Sequence, residues 1–214
     1  MFKKYAQFYN LIYKKRAYKT EAEMVYRWAG KPSLIVDLGC GTGRHHKYWK
    51  CSVIGIEQSN EMLKQAKPRK NCVYIQADIE TDRNFVGMPC YTALFNVIGY
   101  CNLDMVMGGL QQEKGGVFIF DVWDMDKFEK SGGFQKKIKK FKWGNIEIFP
   151  HWNEFKEIIL EIKVALNKGK PFSEFHSVLP YPLKHIEELC KKYGYAGIRR
   201  DAAGWVTWYK LIKQ

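Results

Sequence analysis

The sequence predicts an α/β chain built on a parallel sheet with helices on both faces. Three observations carry that expectation. Short β-forming apolar runs alternate with helical stretches from residue 33 to residue 121, and a glycine-rich turn comes directly after the first of them. The 214 residues are 46% hydrophobic and 15% aromatic, enough for one sizeable core.

Taken in order, residues 1–30 read as a helical cover. Phe8, Tyr9, Leu11, Ile12 and Tyr13 form an apolar-aromatic cluster, and a second helix is expected over 20–28. Thr20 followed three residues later by Glu23 is a capping-box spacing, and Gly30 with Pro32 ends that helix. Residues 31–125 hold the alternating core. Strands are expected at 33–37, 52–57, 72–78, 92–95 and 116–121, with helices over 44–50 and 61–66. Residues 126–180 change texture: polar and apolar residues alternate through 142–149 and 158–164, the period of an antiparallel insertion. Residues 181–214 return to the sheet through a helix at 187–193, ended by Gly194, and a final edge strand over 204–211. No repeat or low-complexity linker divides the chain, so 1–214 reads as a single domain.

Lys and Arg number 35 against 22 Asp and Glu, a formal charge of +13. That balance favours anionic partners: a nucleotide-linked substrate, an acidic glycan, nucleic acid or a membrane surface. The six cysteines (Cys40, Cys51, Cys72, Cys90, Cys101 and Cys190) form no C-x-x-C pair and no zinc spacing, so no metal is expected. The first residues carry no apolar signal core, and no window approaches the roughly 20 apolar residues of a membrane span. A cytoplasmic protein without a membrane partner is the expectation.

The strongest signal is Asp37-Leu38-Gly39-Cys40-Gly41-Thr42-Gly43, between the first strand and its helix. Glycines there let the backbone pass close against a bound molecule at the carboxyl end of a parallel sheet. The spacing is G-x-G-x-G with an acid before it, unlike the G-x-G-x-x-G of dinucleotide enzymes, and no Gly-Lys-Ser/Thr of a P-loop comes after it. Glu57 ends the second strand, where a carboxylate can accept both hydroxyls of a ribose. Asp78 ends the third, placed to meet an adenine amino group. Together they describe an adenosine pocket without a pyrophosphate.

These segments, with Gly55-Ile56-Glu57-Gln58-Ser59, Gln76-Ala77-Asp78 and the Gly115-Gly116 approach to Asp121, resemble the successive motifs of class I S-adenosylmethionine-dependent methyltransferases. The resemblance implies a Rossmann-like fold with a mostly parallel seven-stranded sheet, S-adenosyl-L-methionine as cofactor and S-adenosyl-L-homocysteine as product. It also implies contacts from Asp37, Gly39, Cys40, Gly41 and Gly43 to the methionine part, Glu57 at the ribose, and Gln58 among the cofactor-binding residues. Met62 would lie on the adenine, Asp78 and Ile79 at its edge, and Leu94-Phe95-Asn96 over the methionine. Within that superfamily, residues 8–13, Tyr18 and residues 94–100 resemble the glycine N-methyltransferases and amino-sugar N,N-dimethyltransferases. That implies an N-terminal aromatic helix over the cofactor, with Tyr9, Tyr13 and Tyr18 lining the pocket. Two departures stand out: Thr92 replaces the aspartate that usually opens the fourth strand, and Lys114 replaces the proline before the fifth.

Methyl transfer from a sulfonium needs an aligned acceptor and, for a hydroxyl, a base. His176, just before the last helix, is the expected base, with Tyr100 and Asp121 nearer the cofactor; His151 and His185 are further candidates, and Trp123 could stack on a sugar or a base. Residues 96–99, Asn96-Val97-Ile98-Gly99, lack the Asn/Asp-Pro-Pro-aromatic loop of base amino-methylation, and Asp121 alone does not make a magnesium site. The expected acceptor is an amine or hydroxyl of a nucleotide-linked or glycan-linked sugar. A small amine or amino acid is the alternative, and an RNA binder or RNA methyltransferase using the basic run Lys136–Lys142 is the alternative of another class. The oligomeric state is left open.

Overall fold

The computed structural model describes residues 2–125, 127, 135–155, 157–203 and 206–214, and for 197–203 the backbone only. The apolar runs form β1 (Leu34–Leu38), β2 (Ser52–Glu57), β3 (Cys72–Gln76), β4 (Cys90–Ala93) and β5 (Val117–Trp123), all parallel. β10 (Tyr195–Ala203) and β11 (Val206–Lys213) join antiparallel, giving a seven-stranded sheet in the order β10-β11-β5-β4-β1-β2-β3. The mostly parallel seven-stranded sheet read from the sequence is therefore present. Its order reverses at β1, which lies between β2 and β4, and that switch point is where such sheets take a ligand.

Helix α2 (Tyr18–Trp28) lays Ala22, Val25 and Trp28 on one face, against Ile35, Val53, Ile119 and Trp208. α4 (Leu103–Leu110) and α5 (Leu183–Lys192) cover the other, where Val106, Met107, Ile186 and Leu189 meet Phe118, Phe120 and Tyr209. Three helical expectations are corrected. α2 starts at Tyr18, two residues before Thr20, and no side chain caps it; Glu23 makes only an exposed pair with Lys19. The helix expected over 44–50 is a single 3-10 turn, His45–Tyr48, because its ring side chains turn inward: His45 to Glu21, His46 to Asp37, and the adjoining Trp49 to the Ala22 carbonyl. The helix at 61–66 is reduced to α3 (Asn60–Leu63), capped by the Ser59 hydroxyl, which accepts from the Met62 N–H.

The last strand is also corrected. β11 is not the edge; the edge is β10, absent from the sequence expectations because its polar Arg199-Arg200-Asp201 stretch does not read as a strand.

The insertion is the antiparallel sheet β6 (Lys137–Phe141), β7 (Gly144–Trp152), β8 (Ile158–Leu166) and β9 (Phe172–Val178), paired in that order. Its alternation buries Ile146, Ile162 and Val164 against Tyr5 and against Ile12 of α1 (Ala6–Ile12). The basic run is partly committed to this packing. Lys139 donates to the Ile12 carbonyl and lies over the Tyr13 ring, while Lys136 pairs with Glu147. Among the described residues no helix is long and apolar enough to cross a membrane.

Candidate functional site

The glycine turn leaves β1 with Gly39, Gly41 and Gly43 at φ +63°, +58° and +63°, a left-handed run that only glycine adopts without strain. A Cβ on Gly39 would stand 2.6 Å from Val97, so the turn passes flush against the segment after β4. Two bonds hang it on β2. The Cys40 N–H donates to the Ile56 carbonyl at 2.9 Å, and the Gly41 N–H to Glu57 Oε2 at 2.9 Å. Glu57 Oε1 accepts from the Ser59 N–H at 2.8 Å. Each carboxylate oxygen keeps a lone pair, the capacity a ribose diol requires. Burial raises the Glu57 pKa, with a smaller push from Asp37, against these two N–H donors.

Beyond Glu57, Gln58 donates to Asp78 Oδ2 at 2.8 Å, which ties the segments after β2 and β3 together at the rim. Met62 is buried against Gly41, and Ile79 packs on the main core. A groove of about 800 Å³ opens here between the first residues and α3, lined by Lys3, Gln7, Gln58, Ser59 and Gln65.

On the other side of the turn stands an aromatic cluster. α1 brings Tyr9 and the adjoining Tyr13 to 6.2 and 4.8 Å from the Phe95 ring. Tyr18 is buried, its hydroxyl without a hydrogen-bond partner. Burial pushes the pKa of all three tyrosines up, so their hydroxyls stay neutral donors. Phe95 and Asn96 both adopt positive φ, +74° and +57°, and the buried amide Nδ2 of Asn96 is also unpaired. Strain and unsatisfied polar atoms concentrate in this corner, as they do where a ligand completes a site.

Asp121 anchors that strained pair. Its carboxylate accepts the Phe95 and Asn96 N–H groups, the latter at 3.1 Å. Burial raises its pKa to about 6 despite those donors and the nearby Arg16 charge. It holds the turn through both oxygens, each of which keeps a lone pair, so a structural role stands beside the substrate-facing one expected of it. Three further expectations shift in the same way. The Asp37 carboxylate is buried beneath the turn, filled by Thr92 and His46. The Cys40 side chain packs toward Gly55, and its thiol donates to the Gly41 carbonyl at 3.8 Å. Leu94 is buried in the core under α2.

His176 lies on β9, 2% exposed, its ring 4.5 Å from Phe2 and 6.5 Å from Tyr100. Nε2 comes within 3.3 Å of Glu174 Oε1, but the approach is out of line for a hydrogen bond, and both ring nitrogens lack one. Burial, the largest influence, lowers its pKa in spite of Glu174, so the ring is neutral at pH 7. Burial likewise raises the Tyr100 pKa.

Sequence reasoning missed Arg16. Its guanidinium lies 3.7 Å over the Phe95 ring, and its Nε pairs with Glu21 at 2.9 Å. Its charge reaches Tyr9, Tyr13, Tyr18 and Asp121. Within Lys14-Lys15-Arg16 it looks like surface charge; only its place between Tyr13 and Tyr18 could have marked it.

Residues 36–96, spanning the glycine turn, Glu57 and Asp78, match the family described as Methyltransferase domain. The stretch is similar to methyltransferase domains, and S-adenosylmethionine is the cofactor that the likeness points to. An uncharacterised protein of Methanocaldococcus jannaschii is 27% identical over 199 residues, covering 90% of this chain and 73% of that one. A malonyl-[acyl-carrier protein] O-methyltransferase of Hamiltonella defensa is 29% identical over 140 residues, 58% of this chain and about half (48%) of that relative. Among solved structures, an S-adenosylmethionine-dependent methyltransferase from Clostridium acetobutylicum superposes with a TM-score of 0.78 at 18% identity, covering 97% and 96% of the two chains. The sugar N-methyltransferase KedS8 from Streptoalloteichus gives 0.75 at 18%, covering 96% and 93%. The amino pentose methyltransferase CalS10 from Micromonospora echinaspora gives 0.74 at 15%, covering 100% and 98%. At these identities the likeness is one of fold: the Rossmann-like class I methyltransferase fold.

The methyltransferase site fits that cofactor. The glycine cradle has no room for side chains, Glu57 keeps free lone pairs, and the orphaned Asn96 amide and Tyr18 hydroxyl stand ready as donors.

Proposed function

We propose that this methyltransferase transfers a methyl group to an amine or hydroxyl of a sugar, nucleotide-linked or glycan-linked. The observation that carries the reading is His176: a buried, neutral imidazole with no hydrogen bond at either nitrogen, walled by aromatic rings. A ring in that state can take a proton from an incoming ammonium or hydroxyl, the work an amine or sugar acceptor requires. When bound, S-adenosylmethionine supplies an electrophilic methyl group. The chain's own part is then to align the acceptor, exclude water and remove that proton.

In this reading residues 1–30 cover the cofactor, residues 31–125 bind it, and β6–β9 present His176 and close the acceptor side. The glycine turn and Glu57 hold the cofactor's methionine and ribose parts, and Gln58, Asp78 and Met62 its adenine end. Tyr9, Tyr13, Tyr18, Arg16 and Asn96 surround the methionine end. Glu174, fixed by the Lys3 and Tyr5 N–H groups, stands beside His176 without taking up its ring nitrogens. The likeness in fold to KedS8 and CalS10 supports a sugar amine over a free amino acid. So does the basic surface, which suits a phosphate-bearing carrier.

The test is a methyl-transfer assay with S-adenosylmethionine on a panel of nucleotide-linked amino sugars, with glycine and bulk RNA as comparison acceptors. A mass gain of one or two methyl groups on an amino sugar, lost in His176→Asn, is the expected result. Methylation of glycine or RNA in its place would overturn the reading.

A further inference from the structure

Beneath the glycine turn lies a buried polar cluster. Asp37 is 2% exposed and His46 1%. His46 Nε2 meets Asp37 Oδ2 at 2.8 Å, and the Thr92 hydroxyl donates to Asp37 Oδ1 at 2.6 Å. The His46 ring is sandwiched between Trp49 at 5.4 Å and Tyr74 at 5.4 Å, both nearly parallel to it, with Nδ1 3.3 Å from the Tyr74 hydroxyl. Gly55 of β2 makes room for this: a Cβ there would stand 2.9 Å from His46 Cε1 and 2.8 Å from Cys40 Sγ.

The position of the pair matters more than its strength. Asp37 lies in the last two residues of β1 and His46 in the first two of the 3-10 turn, so their contact staples together the segments on either side of the glycine turn. Asp37 also pairs in register with Gly55, two residues before Glu57, and its charge is among the influences that hinder Glu57 from ionising. A buried carboxylate with no counter-charge is costly, and a second one nearby makes it more so.

We propose that His46 is a positioning residue for the cofactor: as a cation paired with Asp37 it pins the glycine turn and cancels the buried charge that opposes Glu57. The proposal rests on Glu57 and the turn being the cofactor's ribose and methionine contacts. The groups facing the pair are few. Tyr74 and Cys72 approach His46 from β3, Cys40 from the turn, and Cys90 of β4 senses Asp37; the Arg69 guanidinium acts on Tyr74 from beyond. Burial pulls the His46 pKa down, but the bond to Asp37 and the neighbouring Cys72 outweigh it and carry the ring up to about 9.

The experiment is titration calorimetry with S-adenosylhomocysteine at pH 7 on wild type, His46→Gln, Asp37→Asn and the double variant. His46→Gln should weaken binding by about tenfold or more. Adding Asp37→Asn should restore it to within about threefold of wild type, because no charge is then left unpaired. A histidine that merely fills space gives no such rescue, so a double variant as weak as His46→Gln overturns the proposal. An undiminished His46→Gln overturns it too. If the single variant does not fold, the wild-type imidazole resonances decide: His46 still charged at pH 8 supports the pairing, and a midpoint near 6.5 contradicts it. Failure of the wild type to bind would count against the cofactor contacts themselves, while the imidazole titration would still judge the pair.

Discussion

His176 Nε2 stands 3.3 Å from Glu174 Oε1, yet Glu174 accepts its hydrogen bonds from the backbone N–H groups of Lys3 at 3.0 Å and Tyr5 at 2.7 Å. The carboxylate thereby ties the first residues to the insertion sheet and leaves the imidazole free to accept a proton. His176→Asn should cut kcat by about a hundredfold or more, the usual scale for losing a general base. S-adenosylhomocysteine affinity should stay within about twofold, which separates this role from a binding one. The pH dependence has a definite sign. Because burial lowers the His176 pKa, the ring is still unprotonated at the ordinary histidine midpoint of about 6.5, and activity should fall only at more acidic pH. A steady-state pH profile measures this directly.

Arg16 over Phe95 places a cation beside Tyr9, Tyr13 and Tyr18, the corner proposed above to surround the methionine end of the cofactor. Arg16→Ala should weaken S-adenosylhomocysteine by about tenfold. Arg16→Lys should recover only part of that, since an ammonium cannot stack on Phe95 as a planar guanidinium does. Calorimetry on both variants checks the order.

Gly43 lies at φ +63°, and a Cβ there would collide with the Tyr74 hydroxyl. Gly43→Ala should destabilise the fold by at least about 1–2 kcal/mol from backbone strain alone. The lower midpoint in urea denaturation, with an unchanged slope, is the signature.

Legibility in the sequence depended on the kind of signal each part leaves. β1, β2, β4 and β5 were readable because buried parallel strands are continuous apolar runs, and β3, though an exposed edge strand, because its β-forming residues still make a run; Glu57 closes β2 and Asp78 lies just past β3. β10 was not, since its Arg199-Arg200-Asp201 stretch is polar and gains its place through ladder pairing with β11 at the sheet edge. The 3-10 turn at His45–Tyr48 looked like a helix because its inward bonds to Glu21 and Asp37 are tertiary. Arg16 was hidden among lysines. Asp121, at a strand end, read as a reactive acid, and only the left-handed Phe95 and Asn96 show why its carboxylate is already engaged.

The Asp37–His46 pair also predicts how stability varies with pH. A histidine whose folded pKa, about 9, exceeds its unfolded value of about 6.5 contributes stability that is complete below pH 6.5 and lost as pH rises through 9. That contribution is on the order of 3 kcal/mol. Denaturation midpoints should therefore fall between pH 7 and 9.5 in wild type, and much less in the His46→Gln, Asp37→Asn double variant.

If the glycine turn and Glu57 hold the methionine and ribose parts of the methyl donor, binding must depend on Glu57, and one titration tests that most directly. S-adenosylhomocysteine is titrated into wild type and Glu57→Ala, with thermal melts of both to show that the variant is folded. Micromolar binding to wild type, weakened by about tenfold or more in Glu57→Ala, is the predicted result. No binding to wild type by calorimetry or equilibrium dialysis, or equal binding to the two proteins, would contradict it.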